Sequence, residues 1–115
     1  MSHAVTLNWD EAPVSEPLPG ITRQSISGDR QTMVRYVYAP GSVFPVHSHP
    51  EEQITVVLSG RIVFTVDGAR HDLGPGDVAV LPGGLAHGAT VEGDETVVTI
   101  NTLSPRRAVD PLAGS

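Results

Sequence analysis

The sequence predicts an all-β protein built as one domain. Short runs rich in β-branched and aromatic residues recur about every eight to twelve residues, with turn-forming residues between them. The 12 glycines and 10 prolines fit many tight turns between such strands. No segment repeats its apolar residues with the period of a helix. At 115 residues the chain suffices for one hydrophobic core, so a β-sandwich or β-barrel is expected.

The first 20 residues are expected to form an irregular arm. Prolines at positions 13, 17 and 19 fix φ and remove backbone donors. Trp9 is the only indole of the chain. Because an exposed indole is costly, we expect Trp9 to pin the arm to the β-domain or to a neighbouring subunit. The domain itself is expected over residues 21–104, followed by a tail over residues 105–115.

Six segments of the domain carry strand patterns. The run T-M-V-R-Y-V-Y is the clearest, because β-branched and aromatic residues fill it. Asp67-Gly68 is a strong signal for a hairpin turn. The predicted strands span residues 21–27, 32–38, 54–58, 62–66, 78–81 and 96–103.

Two of these strands are apolar on both faces, at residues 56–58 and 62–64. One face can line the interior of the domain, and the other must meet a second sheet or another chain. This pattern favours a homodimer.

Composition excludes several classes of function. The net charge of −6 disfavours a nucleic-acid or anionic membrane partner. The chain has no cysteine, so disulfides and thiolate sites are excluded, and it has no lysine for Schiff-base chemistry. Its start lacks the features of a signal peptide, and no apolar run is long enough to span a membrane. We expect a soluble cytoplasmic protein.

Four side chains form a candidate metal site. His47 and His49 are two residues apart, so an extended strand points both imidazoles to the same face. Gln53 has the same parity, and His87 follows a second segment rich in glycine and proline. Three imidazoles and one carboxamide oxygen are donors that suit a transition metal and add no charge of their own.

The other histidines and the nearest carboxylates are not expected to bind the metal. His3 is terminal, and the polar sequence around His71 predicts a turn. Glu51 and Glu52 are closer to His49 in sequence than Gln53 is, yet we expect both to face solvent from the loop.

The spacing of the candidate ligands resembles the two motifs of the cupin family. The first motif, G-x5-H-x-H-x3-[E/Q]-x6-G, is matched by Gly41, His47, His49, Gln53 and Gly60. The second, G-x5-P-x-G-x2-H, is matched by Gly76, Pro82, Gly84 and His87. The resemblance implies a single-domain jelly-roll β-barrel of the RmlC-like type. It also implies a divalent transition metal inside the barrel, held by His47, His49, Gln53 and His87.

The implied ion is zinc, nickel, iron, manganese or copper. Glutamine at position 53 replaces the glutamate that cupins usually place there. The site is therefore one unit more positive, which favours Lewis-acid chemistry on a bound oxygen.

Among cupins, the segment H-S-H-P-E-E-Q is similar to the small proteins of pectin degradation that ketonise 4,5-unsaturated uronates. Their C-terminal segment D-x-F-T-P-x-R resembles residues 101–107 here, which implies that Arg107 lies by the metal and binds a substrate carboxylate. Asn101 replaces the aspartate of that segment and Leu103 the phenylalanine. An amide cannot serve as the acid or base that a carboxylate provides. Asn101 and Arg107 are nevertheless the catalytic candidates of this segment.

Three functions stay open at this point. In the first, the metal acts as a Lewis acid on a small oxygenated substrate, and Arg107 or Arg35 holds an anionic group, as in the ketonisation of an unsaturated sugar acid. Arg35 lies either on the outer face of the sheet or in the cavity. The second function is an iron or copper dioxygenase. Four protein ligands leave two positions of an octahedral metal open, and a dioxygenase would use these for oxygen and a chelating substrate. The third is a non-catalytic ligand-binding domain.

Overall fold

The computed structural model describes residues 3–107, which fold into ten strands and one short 3-10 turn. The strands are β1 (Ser15–Leu18), β2 (Ile21–Ser27), β3 (Thr32–Tyr38), β4 (Val43–His47), β5 (Glu52–Ser59), β6 (Ile62–Val66), β7 (Ala69–Leu73), β8 (Val78–Leu81), β9 (His87–Thr90) and β10 (Val97–Ser104). They form a six-stranded sheet in the order β1-β2-β3-β10-β5-β8 and a four-stranded sheet in the order β4-β9-β6-β7. All pairings are antiparallel. The all-β jelly-roll expectation is confirmed.

Alternation along the strands decides which side chains enter the core. In β3, Val34, Tyr36 and Tyr38 are buried, whereas Met33 and Arg35 point to the opposite face. β10 alternates in the same way. The apolar side chains of the two sheets meet between them in one cluster, which also holds aromatic residues of both sheets.

The predicted barrel is not closed. β8 ends the six-stranded sheet and β7 ends the four-stranded sheet, and the described residues contain no strand pairing that joins the two. A groove of about 220 Å³ runs between these edges, lined from both sheets by residues such as Phe64, Leu73 and Ala79. The fold is therefore an open jelly roll of two facing sheets.

The hairpin signal at Asp67-Gly68 corresponds to the turn between β6 and β7. Both residues have positive φ, 49° and 83°, as a type I′ turn requires. β7 itself is polar and exposed, and it contains His71. The expectation of a turn at His71 was therefore wrong. An edge strand needs little apolar surface, and the turn supplies its register with β6.

The prediction of an irregular arm over residues 1–20 needs correction. A 3-10 turn forms at Trp9–Glu11, capped by Asn8, and β1 pairs with β2. β1 tolerates Pro17 because it is an edge strand, where a missing donor costs little. The side-chain amide of Gln24 donates to the carbonyl oxygens of Trp9 (2.7 Å) and Ala12 (3.1 Å), which ties the arm to β2.

The outer face of the six-stranded sheet carries several exposed apolar side chains. They are Met33, Ile54, Leu58, Val78 and Val80, each at least 41% exposed. β10 ends at Ser104, and the chain is described for three further residues; the rest of the predicted tail lies outside the described residues. Within the described part of the chain, no helix has the length and apolarity needed to cross a membrane.

Candidate metal centre

Three histidines converge between the two sheets. His47 ends β4, His87 begins β9, and the two face each other in the β4–β9 register. His49 lies two residues beyond the end of β4. The ring centroids are 4.5 Å apart for His47–His87, 5.0 Å for His49–His87 and 5.6 Å for His47–His49. One nitrogen of each ring lies within 4.8 Å of the others, close enough to hold one ion.

The same type of hydrogen bond orients each of the three rings. Every Nδ1 lies near a backbone carbonyl oxygen: that of Pro45 for His47 (2.9 Å), Glu51 for His49 (3.1 Å) and Leu85 for His87 (2.9 Å). A carbonyl oxygen only accepts, so each Nδ1–H donates and each Nε2 keeps its lone pair. The Nε2 of His87 is buried without a hydrogen-bond partner. Such an orphaned acceptor is expected where a cation binds.

Gln53 on β5 completes the donor set. Its side chain is buried, and its Oε1 lies 3.1 Å from the Nε2 of His49. Its amide nitrogen donates in the opposite direction, to Thr55 Oγ1 at 2.8 Å. Both Oε1 and the facing Nε2 are acceptors here, and they repel each other unless a cation or a proton lies between them. The four residues therefore fit a divalent transition metal with three nitrogen donors and one oxygen donor.

Two of the three imidazoles, those of His47 and His87, are held in the neutral form near pH 7. Burial, together with the repulsion that positive charge on His87, His49 or Arg107 would exert, lowers the pKa of His47 to about 4. The hydrogen bond to Pro45 opposes this shift only in part. Burial also lowers the pKa of His87. Metal binding thus requires no proton to leave His47 or His87 at neutral pH.

Glu51 does not face solvent, contrary to the expectation from sequence. Its side chain is 14% exposed, and a carboxylate oxygen lies 3.5 Å from the Nδ1 of His49. The backbone carbonyl of Glu51 accepts the Nδ1–H, and the carboxylate oxygen has no hydrogen-bond partner among the described residues, so the carboxylate adds a negative charge beside the ring without orienting it. Glu52 is exposed, as expected. Their positions in the sequence do not predict that Glu51 is largely buried and Glu52 exposed. The difference arises because the chain turns back on His49 after Pro50.

Arg107 lies beside the histidines at the start of the tail. The hydroxyl of Thr32, on the inner face of β3, hydrogen-bonds to both the backbone nitrogen and the carbonyl of Arg107, each at 3.0 Å. The guanidinium Nη1 is buried without a hydrogen-bond partner. Its charge contributes to the lowered pKa of His47. Among the described residues, the structure therefore places a cationic side chain beside the histidines with one guanidinium nitrogen unpaired.

Arg35 is not brought to this centre. It lies on the face of β3 opposite Tyr36, and its guanidinium donates to Gln24 Oε1 at 3.2 Å. The assignment of Arg35 as a substrate-binding residue is corrected accordingly, since the alternation of β3 points its side chain away from the interior.

Asn101 lies on the inner face of β10, directly behind Gln53. Its side chain is 2% exposed. Its hydrogen bonds run to Gln53, Thr55, Thr99 and the carbonyl of Val34. Asn101 thus contacts a candidate ligand and is separated from the cavity by it.

The cavity beside the histidines has aromatic walls. Its volume is about 20 Å³, and it is lined by Tyr36, Tyr38, Phe44, His47, Gln53, Phe64, His87, Gly88 and Ala89. The ring of Phe44 packs 4.8 Å from that of His47 and 5.6 Å from that of Tyr36. Burial raises the pKa of Tyr38, so its phenol stays protonated. These apolar walls limit water around the donors.

Sequence reasoning did not single out the aromatic walls. Tyr36 and Tyr38 share parity with Val34, which was the available signal for an inward orientation. Arg23, on the inner face of β2 opposite Tyr36, was also missed, although it is only 2% exposed.

An open jelly roll with three histidines and one amide grouped in its interior has the fold of a cupin and a candidate metal site. The family model described as "Cupin domain" matches residues 34–103. The chain therefore belongs to the cupin domain family, and the resemblance seen in its two histidine motifs is confirmed.

Known proteins place the chain among small cupins. The structure of KdgF from Halomonas sp. matches with a TM-score of 0.81 and 28% identity, over 93% of this chain and 97% of that chain. H2HPP isomerase from Bacillus subtilis is 35% identical over 78 residues, 67% of this chain and 33% of that protein. Quercetin 2,3-dioxygenase from Bacillus subtilis (strain 168) is 31% identical over 78 residues, covering 67% of this chain and 23% of that protein. The chain thus spans a third or less of the length of these two curated relatives.

Proposed function

We propose that the chain is a metal-dependent isomerase-like or lyase-like enzyme acting on a small oxygenated substrate that carries a carboxylate, such as an unsaturated sugar acid. The observation that carries the proposal is the grouping of three imidazole nitrogens within 4.8 Å of one another, with the amide oxygen of Gln53 3.1 Å from one of them. A divalent ion held by these uncharged donors would supply Lewis acidity toward a carbonyl or enol oxygen.

The residues around this centre support binding of an anion. Arg107 presents a buried guanidinium nitrogen that has no hydrogen-bond partner among the described residues. A carboxylate is the group that best matches a guanidinium, because two parallel hydrogen bonds can form. The carboxylate end of the substrate is therefore assigned to Arg107, and the reacting oxygen to the histidine side of the cavity.

The cavity supports the proposal in a second way. Aromatic rings on its walls exclude water from the donors, which strengthens electrostatic interactions inside. The phenol of Tyr38 borders this space and, because burial raises its pKa, keeps its proton and can donate a hydrogen bond to a bound oxygen. No carboxylate lies among the described residues that line the cavity.

Ketonisation of a 4,5-unsaturated uronate tests the proposal directly. Protein loaded with zinc, nickel, manganese or iron is mixed with the unsaturated uronate, and the decay of its absorbance is followed. We expect decay faster than in buffer, and the loss of this acceleration in His49→Ala. His71→Ala is the matched control, because that histidine is exposed on β7 and should not affect the rate. Equal rates for His49→Ala and the parent chain would defeat the proposal.

A dioxygenase is the second candidate. The likeness to quercetin 2,3-dioxygenase and the aromatic walls at Tyr36, Phe44 and Phe64 favour it. Oxygen consumption by iron- or copper-loaded protein with flavonols and β-diketones distinguishes it from the first candidate. If the protein binds metal but turns over neither class of substrate, the remaining function is that of a non-catalytic binding domain.

A further inference from the structure

A hydrogen-bonded polar network lies behind Gln53, within the apolar core of the six-stranded sheet. Thr55 and Thr99 are 0% exposed, and Asn101, which lies between them, is 2% exposed. Polar groups buried this deeply are stable only when each donor finds an acceptor. The direction of every hydrogen bond in the network is consequently fixed by its partners.

The carbonyl oxygen of Val34 determines how Asn101 is turned. It lies 3.2 Å from Asn101 Nδ2, and a carbonyl oxygen can only accept. The same Nδ2 donates its second hydrogen to Thr99 Oγ1 at 3.0 Å. The NH2 group of Asn101 therefore faces β3, and its Oδ1 faces Gln53.

The orientation of Asn101 in turn fixes that of Gln53. Asn101 Oδ1 accepts from Gln53 Nε2 at 3.2 Å and from Thr55 Oγ1 at 2.5 Å. Gln53 Nε2 gives its other hydrogen to Thr55 at 2.8 Å. With both hydrogens of its amide nitrogen used on this side, Gln53 has only its Oε1 to offer the histidines.

We propose that Asn101 is a positioning residue that holds the carboxamide oxygen of Gln53 toward His49 and restricts position 53 to a neutral ligand. The inference rests on the metal site of the proposed function and deepens it. Asn101 acts through Gln53 and not on the substrate, because Gln53 separates it from the cavity.

The orientation of Asn101 limits which side chains position 53 can accept, as the replacement of Gln53 by glutamate illustrates. In Gln53→Glu, an oxygen would replace the amide nitrogen and face Asn101 Oδ1, so two acceptors would meet. Asn101 cannot turn to present its NH2 group, because Val34 would then lose its donor. The extra negative charge would strengthen attraction to a cation, but this buried clash would oppose it.

The first experiment measures zinc affinity by competition with a chromophoric chelator. Asn101→Leu removes the acceptor for Gln53 with little change in volume, and we expect about tenfold weaker binding, as is typical for loss of a group behind a ligand. Thr99→Val is the matched control: it is equally buried and also touches Asn101, yet it leaves the Gln53 side intact. We expect its affinity to stay within about twofold of the parent. Thermal unfolding of the metal-free proteins checks that both variants fold.

The second experiment separates positioning from a general packing role. We expect Asn101→Leu to weaken zinc binding when residue 53 is glutamine, and to strengthen it several-fold in the Gln53→Glu background, where it removes the clash. The cobalt(II) absorption spectrum should change with Asn101→Leu alone and not with Thr99→Val. Equal weakening in both backgrounds would overturn the proposal while leaving the metal site standing. Zinc binding that is absent from the parent chain would overturn both.

Discussion

At the scale of single residues, the site depends on which nitrogen each imidazole offers. Backbone carbonyls of residues two positions away hold the Nδ1–H groups, and these carbonyls belong to short segments that the strands fix in place. The Nε2 atoms are then directed together before any ion arrives. The same geometry buries His47 and His87, which lowers the pKa of both rings.

Because His47 is buried, the free energy of unfolding of the metal-free protein depends on pH. The unfolded chain protonates His47 near its ordinary pKa of about 6.5, whereas the folded chain does so only near about 4. Between these values the unfolded state binds more protons, so the free energy of unfolding falls as pH falls from about 6.5 toward about 4. Urea unfolding in the presence of a chelator at several pH values measures this. His47→Asn should show a shallower decline, and an unchanged slope would argue against a neutral buried His47.

Arg107 is expected to act on substrate binding. Its loss removes a charged hydrogen bond worth roughly 1.5–3 kcal/mol, so Arg107→Ala should raise KM for a carboxylate substrate by about 10- to 100-fold. An uncharged ester of the same substrate should show little difference between the parent chain and the variant. Arg35→Ala is the control, because that guanidinium lies on the outer face of β3. A similar KM change in both variants would contradict the assignment to Arg107.

At the scale of elements, two loops bring the histidines together. The loop between β8 and β9 packs against the segment that follows β4, and the Gly84 nitrogen donates to the carbonyl of His49 at 2.8 Å. A Cβ on Gly83 would lie 2.2 Å from the carbonyl oxygen of Pro50. Only glycine allows this approach, which couples the position of His87 to that of His49.

Gly83→Ala is therefore expected to separate the two loops. We expect the free energy of unfolding to fall by about 1–3 kcal/mol, the usual cost of forced overpacking, and zinc affinity to fall with it. Gly93→Ala is the matched control, because a Cβ there meets nothing within 4 Å. Chemical unfolding and zinc titration of both variants provide the measurement. If the Gly83 variant matched the Gly93 variant, the close loop contact would not be needed.

Local pattern predicted some elements and missed others for identifiable reasons. β2, β3, β6 and β8 begin and end where residue type and turn signals predicted. β7 was missed because its sequence, A-R-H-D-L, is polar, and only its hairpin turn makes it a strand. The four candidate ligands followed from spacing along the chain. Spacing along the chain does not predict the positions of Glu51 and Asn101. The position of Glu51 depends on how the loop folds back, and that of Asn101 depends on which residues pair across β3, β10 and β5.

At the scale of the whole molecule, the outer face of the six-stranded sheet exposes apolar side chains that contact with a partner chain would bury. Ile54, Val78 and Val80 are neighbours across β5 and β8, and each is at least 41% exposed. Exposed apolar side chains on neighbouring strands are typical of an interaction site. We propose that a second copy of the chain covers it, consistent with strands that are apolar on both faces.

Solution mass tests this homodimer. We expect the parent chain to sediment as a dimer and Ile54→Asp to sediment as a monomer, since a buried unpaired charge at the interface is strongly unfavourable. Val43→Asp is the control, because Val43 is also exposed but lies on the four-stranded sheet. A monomeric parent chain, or a dimer that persists in Ile54→Asp, would contradict the proposed interface.

We propose that four side chains from β4, β5, β9 and the turn after β4 bind one cation. X-ray absorption spectroscopy of zinc-loaded protein measures this coordination. We expect one zinc per chain, with three imidazole nitrogens and at least one oxygen at about 2.0–2.2 Å. We also expect the loss of one imidazole ligand in His87→Asn and of an oxygen ligand in Gln53→Leu. A parent chain that binds no stoichiometric zinc, or a spectrum unchanged by His87→Asn, would contradict it.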